Sequence, residues 1–375
     1  APPMPRAAKR KAEPPPPAPA PAAEPQTVEK LLSWLRECGA EGLDDLDIRA
    51  DGLGGLCVFA RRLFAAGDRI ASLPQRCVLS ARAAEESELG KAVRKAAAAM
   101  GPTCEALVTE EVLLWIFLSV GRIDVAHPWH AYLASLPAAS PEPTCWPAEL
   151  RNELASTPVG ASVSAALDAV QAVVDGLGGR LARRLPTLLP EAALTLESLL
   201  WARGMCRSRA FPTRLLSQTS GPLKAPDAAA EAEAAEAEAD TVGGTAETWG
   251  QAPGVLLPLF DLLNHDPATR ISWLADDARV SFVTEEQVGA GGELLNNYGA
   301  RPNEELLFSH GFALAGNPAD ATTLVLATPV AGGPAERRGY RIRRQARGGV
   351  PLELLQALAA AGAAADRATR AEGGG

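Results

Sequence analysis

The sequence predicts an α+β fold in which a helical segment interrupts a β fold. Apolar runs around a Gly-rich turn between Ile48 and Leu73 predict a hairpin-rich β segment. Alternating apolar residues at Ile271 to Leu274 and Val280 to Val283 predict two further strands. Between these β segments, about residues 85–205 are rich in Ala and Leu at helical spacing. We therefore expect the helices to form an insertion within the β fold.

The composition excludes several classes of protein. The 375 residues carry 45 acidic and 36 basic side chains, a net charge of −9, whereas proteins that coat nucleic acid carry a basic excess. The six cysteines contain no C-x-x-C pair, so neither a zinc ribbon nor a disulfide scaffold is indicated. The strongest apolar run, Val112 to Val120, is far shorter than the roughly 18 residues of a membrane span. We expect a soluble protein that binds neither membranes nor nucleic acid directly.

Two segments have compositions that cannot build a core. Residues 1–26 are dominated by Pro and Ala, which predicts a disordered tail. Within this tail, Lys9-Arg10-Lys11 is either a nuclear-import patch or a solvated charge cluster. About residues 213–253 form a low-complexity acidic segment, in which Ala228 to Asp240 repeats Ala and Glu. We expect a solvated loop there, whose deletion leaves the fold intact.

Helix-ending and helix-starting residues predict three further features. Thr27 to Cys38 predicts an amphipathic helix that Thr27 caps and Gly39 ends. The glycines within 176–179 predict a break between two helices. Asn303 predicts the start of a capped helix that ends at His310-Gly311-Phe312.

Three polar residues lie within or directly after the apolar run from Leu256 to Leu263. They are Asp261, Asn264 and His265. The run is too apolar to lie in water, so these side chains would be partly buried and would need partners or a ligand. Asp and Asn also cap backbone groups at turns. On this stretch alone, a turn is the favoured interpretation over a functional site.

Six short motifs, however, occur in a characteristic order along the chain. They are the Gly-rich entry through Val58-Phe59-Ala60 to Gly67-Asp68; Ile70 to Pro74; Trp129 to Pro137; Ser208-Arg209-Ala210-Phe211; Asp261 to His265; and Tyr298-Gly299, with Asn303 to Leu307 and Gly311-Phe312 after it. This order resembles the SET-domain protein methyltransferases, in the branch related to Rubisco large-subunit lysine methyltransferase and the actin-histidine methyltransferase. The resemblance covers about Gly52 to Leu314.

The resemblance implies a SET-type knotted β fold, spanning 27–315, that the helical insertion splits. It implies S-adenosylmethionine on one side of a narrow channel and a peptide groove on the other. Residues 316–375 would then be a short helical part of a C-terminal substrate-binding region, to which Pro351 to Ala365 contributes one helix.

By position, the resemblance makes Tyr298 the catalytic residue. The implied cofactor-binding residues are Gly52, Gly54, Gly55, Arg209, Asn264 and His265. The implied substrate-binding residues are Ser208, Phe211, Asp261 and His310, and no metal is implied. His310 departs from the family pattern, because many relatives have tyrosine there in a Tyr-Gly-Phe motif.

Chemistry explains why one tyrosine suffices. Methyl transfer from a sulfonium to an amine is an in-line displacement without an oxyanion, so the enzyme chiefly aligns the reactants and excludes water. A free lysine has a pKa of about 10.4, which a desolvated channel beside a cationic sulfonium lowers. We expect Tyr298 to orient the amine, ahead of acting as a general base.

The sequence thus predicts a monomeric protein-lysine N-methyltransferase that uses S-adenosylmethionine and acts on a histone or non-histone protein. Protein-histidine methylation is the alternative within the same enzyme class. A catalytically weak SET module that binds peptides is a second alternative, and a metal-dependent hydrolase using Asp261, His265 and His310 is a third, disfavoured because no helix presents them at ligand spacing. We expect the nucleus or cytoplasm as the location, with the chloroplast as an alternative.

Overall fold

The computed structural model describes most of the chain between the tail and the C-terminus. The described residues are 25–50, 55–216, 223–224, 254–328, 336–343, 350 and 352–372. The strands are β1 Leu46–Ala50, β2 Leu56–Ala60, β3 Arg69–Pro74, β4 Ala210–Phe211, β5 Leu223–Lys224, β6 Val255–Leu256, β7 Ile271–Ala275, β8 Arg279–Thr284, β9 Ala321–Thr328 and β10 Glu336–Arg343. The helices are α1 Pro25–Glu37, α2 Ala81–Glu86, α3 Glu88–Ala99, α4 Pro102–Leu107, α5 Glu110–Ile123, α6 His130–Leu133, α7 Ala148–Glu153, α8 Pro158–Arg184, α9 Leu196–Arg209, α10 Asn303–His310 and α11 Leu352–Glu372.

The two predicted β segments meet in one antiparallel sheet of order β3-β8-β7-β5. β7 and β8 form the predicted hairpin, with Trp273 opposite Phe282, and β3 pairs with β8 across the helical insertion. β1 and β2 form a separate two-stranded hairpin. Phe282 lies at the centre of the core, stacked on Phe260 at 3.8 Å between ring centroids.

The helical insertion is confirmed and runs from α2 to α9, so it begins at Ala81, slightly before the predicted boundary. α5 is buried almost all round, as expected of a helix whose residues are apolar on every face. The predicted break near residue 178 is a kink within α8, because only Gly178 leaves helical geometry, with φ −12° and ψ −113°. None of the described helices combines the length and apolar character of a membrane span.

Two predicted helix caps are wrong. α1 begins at Pro25, so Thr27 lies inside its first turn and does not cap it. α10 follows Pro302, which has no capping side chain, and the Asn303 amide at the helix start donates to Asp320 Oδ1 at 3.2 Å. The Asn303 side chain instead accepts a hydrogen bond from the Leu314 amide at 2.9 Å, because the chain after α10 returns to the start of the helix.

The predicted acidic loop is too long at its N-terminal end. Leu215 is fully buried, because it can bury apolar surface that the Ala/Glu repeat lacks. Leu223 in β5 pairs through its backbone with Trp273 of β7. Residues 217–222 and 225–253, and the tail up to residue 24, lie outside the described residues.

The region after residue 315 is predicted to be helical, but it also contains two strands. β9 and β10 pair as an antiparallel hairpin, with Tyr340 opposite Leu324. α11 confirms the predicted helix and extends it to Glu372. The β-branched and apolar residues of Ala321–Thr328 favour a strand there.

Candidate active site

Three segments that are distant in sequence lie side by side at the site. The Leu294 amide donates to the Val58 carbonyl of β2 at 2.8 Å, and the Asn296 amide donates to the Asn264 carbonyl at 2.8 Å. A parallel bridge joins His265 to Asn296. The segment 292–298 therefore lies between β2 and residues 264–266, which brings the polar cluster after the apolar run next to Tyr298.

Tyr298 is held at both of its polar groups. Its hydroxyl donates to the Leu263 carbonyl at 2.9 Å, and its amide donates to Nδ1 of His265 at 3.1 Å. The two rings stack at 4.8 Å between centroids. Burial raises the pKa of Tyr298 to about 12, so the hydroxyl keeps its proton at neutral pH. A protonated, positioned hydroxyl suits an orienting role better than a base role.

Four aromatic rings, those of Tyr298, His265, His310 and Phe312, form a closed cluster. His310 lies 5.0 Å from Tyr298 between ring centroids, Phe312 lies 5.9 Å from His310, and His265 lies 6.3 Å from Phe312. These spacings are those of rings in contact. The cluster therefore forms an aromatic wall of the site in which the Tyr298 ring is half-buried.

An ion pair between Asp261 and Arg209 also belongs to the site. Asp261 accepts a hydrogen bond from the Tyr132 hydroxyl at 2.8 Å, and its backbone carbonyl accepts one from Arg209 at 2.8 Å. Burial raises the pKa of Asp261, and the nearby Arg209 opposes the rise. Asp261 Oδ1 and Arg209 Nε are buried without a hydrogen-bond partner among the described residues. The turn-cap interpretation is therefore wrong for the Asp261 side chain.

These groups surround a cleft of about 500 Å³, part of it open to solvent. The predicted site residues that line it are Ser208, Arg209, Phe211, Asp261, Tyr298 and His310. Tyr298, His310 and Asp261 come from three separate parts of the chain, so the fold brings most of the predicted site together.

Some predicted residues contribute differently from what their type suggests. The Ser208 hydroxyl donates to the Gly204 carbonyl of its own helix at 2.7 Å, so toward the site its oxygen can only accept. Phe211 packs edge-on against Phe282 of the core at 5.6 Å between ring centroids.

Of the predicted cofactor residues that the structure describes, only Arg209 lines the cleft, and the others lie beside it. Asn264 donates from its side chain to Glu293 Oε1 at 2.8 Å, His265 stacks behind Tyr298, and Gly55 is half-buried next to β2. Gly52 and Gly54 lie outside the described residues.

Sequence reasoning missed four residues of the site. Trp273 and Asn296 line the cleft and share a hydrogen bond of 3.2 Å. Arg301 also lines it and donates to the Tyr298 carbonyl at 2.8 Å, while Tyr132 supports Asp261. Asn296 and Arg301 could have been found as polar residues within three positions of Tyr298, but Trp273 looks like any strand residue. Among the described residues, no three His, Cys, Asp or Glu side chains form a group that could hold a metal ion.

Comparison with known proteins identifies the family. A family model described as the SET domain matches residues 55–299, well over half of the chain. The chain belongs to the SET-domain family. The matched range includes the helical insertion and the segment 292–298, so it contains every residue that lines the cleft except Arg301 and His310.

Two lysine N-methyltransferases from other organisms are similar in sequence to this chain. A ribosomal lysine N-methyltransferase of Schizosaccharomyces pombe is 46% identical over 76 residues, 20% of this chain and 14% of that enzyme. The chloroplastic fructose-bisphosphate aldolase lysine N-methyltransferase of Arabidopsis thaliana is 24% identical over 321 residues, 81% of this chain and 56% of that enzyme. The chain thus spans little more than half the length of the Arabidopsis enzyme.

The fold is similar to the crystal structure of the SET domain of LSMT bound to lysine and AdoHcy. The TM-score is 0.63 at 19% identity, over 88% of this chain and 69% of that one. The predicted fold and the predicted branch of the family are both confirmed.

Proposed function

We propose that this SET-domain protein is a S-adenosylmethionine-dependent protein-lysine N-methyltransferase. The observation that carries the proposal is the cleft in which a positioned, protonated Tyr298 hydroxyl lies near the buried Asp261–Arg209 pair. Such a site aligns two reactants and excludes water, which is what methyl transfer to an amine requires. The matching relatives from Schizosaccharomyces pombe and Arabidopsis thaliana bear the name lysine N-methyltransferase.

The residues present fit the cofactor. S-adenosylmethionine carries both cationic and anionic groups, and the cleft offers a buried acceptor on Asp261 and a buried donor on Arg209 without partners among the described residues. Asn264 uses one amide N–H for Glu293 and keeps its amide oxygen for a ligand. Gly55, His265, Asn264 and Arg209 would hold the cofactor, which supplies a methyl group on a sulfonium when it is bound.

The chain's own residues would prepare the amine. The aromatic cluster and the core-facing Phe211 give the cleft a low dielectric, which disfavours an ammonium ion and lowers the pKa of an entering lysine. Arg209 and Arg301 add positive charge to the wall, which also lowers the pKa of the lysine. The Tyr298 hydroxyl, anchored on Leu263, would then orient the neutral amine.

The charged residues of the chain support a proposal for its substrate and its location. The acidic balance of the chain favours a basic protein substrate over nucleic acid, and we propose that the protein acts as a monomer. The basic patch Lys9-Arg10-Lys11 supports the nucleus or cytoplasm, although the Arabidopsis relative is chloroplastic by name.

The test is the substitution Tyr298→Phe, with Tyr340→Phe as the matched control. Tyr340 is buried in β10, away from the cleft. Isotopically labelled cofactor is incubated with a protein extract, and mass spectrometry identifies the labelled residue. Tyr298→Phe should lower transfer by roughly 100-fold, since misalignment alone costs about that much, while calorimetry shows unchanged affinity for S-adenosylhomocysteine. Equal turnover of Tyr298→Phe and Tyr340→Phe would refute the role of Tyr298, and label on histidine would refute lysine as the target.

A further inference from the structure

His310 is held rigidly in the wall of the cleft. It is the last residue of α10, and the next residue, Gly311, has φ +77°. A Cβ on Gly311 would lie 2.2 Å from the Pro141 carbonyl oxygen, so this position requires glycine. Nδ1 of His310 lies 3.0 Å from the Ser208 carbonyl oxygen. Because a carbonyl oxygen only accepts, Nδ1 carries the proton and donates it.

The other ring nitrogen, Nε2, is left as an acceptor. Burial lowers the pKa of His310 to about 3, with Arg301, His265 and Arg207 acting in the same direction and the Ser208 carbonyl opposing them. The ring is therefore neutral, and with Nδ1 protonated, Nε2 holds a lone pair. Among the described residues, no group donates to Nε2, and the ring lines the cleft beside Tyr298.

We propose that Nε2 of His310 is a specificity-determining acceptor, which holds one N–H of the target amine beside Tyr298 and makes dimethyl-lysine the end product. This inference rests on the proposed lysine methyltransferase function. A tyrosine hydroxyl at this position could both donate and accept, whereas the Nε2 lone pair of a neutral His310 only accepts.

The number of N–H groups on the neutral amine sets the limit. In each round the nitrogen lone pair forms the N–C bond, the C–S bond breaks, the sulfonium becomes a thioether, and the new ammonium ion loses a proton to solvent. The neutral amine has two N–H groups before the first transfer and one before the second. In both rounds Nε2 of His310 can accept one N–H while the lone pair of the amine nitrogen stays free for the transfer. Before the third transfer the amine has no N–H, and the orienting contact is lost.

Two matched substitutions separate the acceptor from the packing of the ring. His310→Asn places an amide N–H near Nδ1, so it keeps the bond to Ser208 and removes the acceptor. His310→Gln reaches the position of Nε2 and restores an acceptor. The probes are Nα-acetyl-lysine amide and its mono-, di- and trimethyl forms, titrated by NMR into protein saturated with S-adenosylhomocysteine.

Without a sulfonium beside them the probes bind as ammonium ions, and in this form all except the trimethyl probe carry an N–H. We expect His310→Asn to weaken binding of these three probes by roughly tenfold, the size of a hydrogen bond to a charged group. Binding of the trimethyl probe should not change, and His310→Gln should stay close to the wild type. With labelled cofactor, the wild type should accumulate dimethyl-lysine. Equal weakening of the trimethyl probe, or trimethyl-lysine as the main product, would overturn the inference.

A readout on the unaltered protein guards against variants that fail to fold. The chain has four histidines, so the ¹⁵N resonances of His310 can be assigned. Nε2 should shift when the dimethyl probe is added and stay in place with the trimethyl probe, and equal shifts would contradict the proposal. If the wild type binds S-adenosylhomocysteine but none of the four amines, the lysine function itself fails and this inference fails with it. If all four bind and no variant differs, only the role of His310 fails.

Discussion

Two buried ion pairs start from the same helix, α9, and differ in what surrounds them. Arg203 pairs with Glu142 at 2.8 Å inside the helical insertion. One turn and a half further along, Arg209 pairs with Asp261 at 3.5 Å in the wall of the cleft. In both pairs one carboxylate oxygen is buried without a hydrogen-bond partner among the described residues.

The surroundings give the two pairs different tasks. The second oxygen of Glu142 is enclosed by protein, and the first also accepts from Thr144, so this pair ties the insertion together. Asp261 faces the cleft, where a ligand can reach it. Breaking the first pair should therefore act on stability, whereas changing the second should act on ligand binding and on pH dependence.

The largest effect is expected from Arg203→Met, which keeps the volume and removes the charge. Glu142 would remain as an unpaired buried carboxylate, which costs about 3–5 kcal/mol and lowers Tm by roughly 10 °C. The matched control is Arg36→Met, because Arg36 belongs to an exposed pair with Asp44 and should leave Tm unchanged. The measurement is the Tm of both variants and of the wild type by differential scanning calorimetry. Equal Tm values would show that the buried pair is not what stabilises the insertion.

An intermediate effect is expected from Asp261→Asn, whose amide oxygen can still accept from Tyr132. Burial raises the pKa of Asp261, so between the ordinary carboxyl pKa of about 3.9 and the raised value the folded state binds more protons than the unfolded state. Stability of the wild type therefore falls as the pH rises through that interval. The asparagine variant should lack this fall.

The measurement for this pair is Tm against pH for the wild type and Asp261→Asn. The two curves should converge at acidic pH and separate as the pH rises, with the variant the more stable of the two. Binding of S-adenosylhomocysteine or of the lysine probe should weaken in the same variant. Parallel Tm curves, with ligand binding unchanged, would place Asp261 in the same structural class as Glu142.

The smallest effect is expected away from both pairs, on excision of Ala228 to Asp240. Loop length enters stability only logarithmically, at about 0.6 kcal/mol per doubling, so Tm should hardly move. A longer deletion that also removes Leu223–Lys224 is the contrasting variant, since it takes away β5 and its pairing with β7. A fall of many degrees for the short excision would mean that the Ala/Glu repeat packs against the domain.

Sequence reasoning succeeded where the signal was local. The alternation of Ile271 to Leu274 has the period of a strand, and the Ala/Leu-rich insertion has the period of helices, so both were predicted. It failed where a non-local contact decided the outcome. No residue near Leu223 in the sequence predicts an edge strand, because Trp273, the residue opposite Leu223, lies far along the chain. Thr27 has the chemistry of a cap, but α1 begins at Pro25.

The sequence by itself determined the family, the order of its motifs and Tyr298 as the residue on which methyl transfer is proposed to depend. These follow from residue types at short spacing. Only the tertiary structure decided that Tyr132 supports Asp261 across 129 residues and that the Ser208 carbonyl sets the proton on His310. Such contacts depend on how distant segments pack, and a buried polar group takes whichever partner the fold brings within hydrogen-bonding distance.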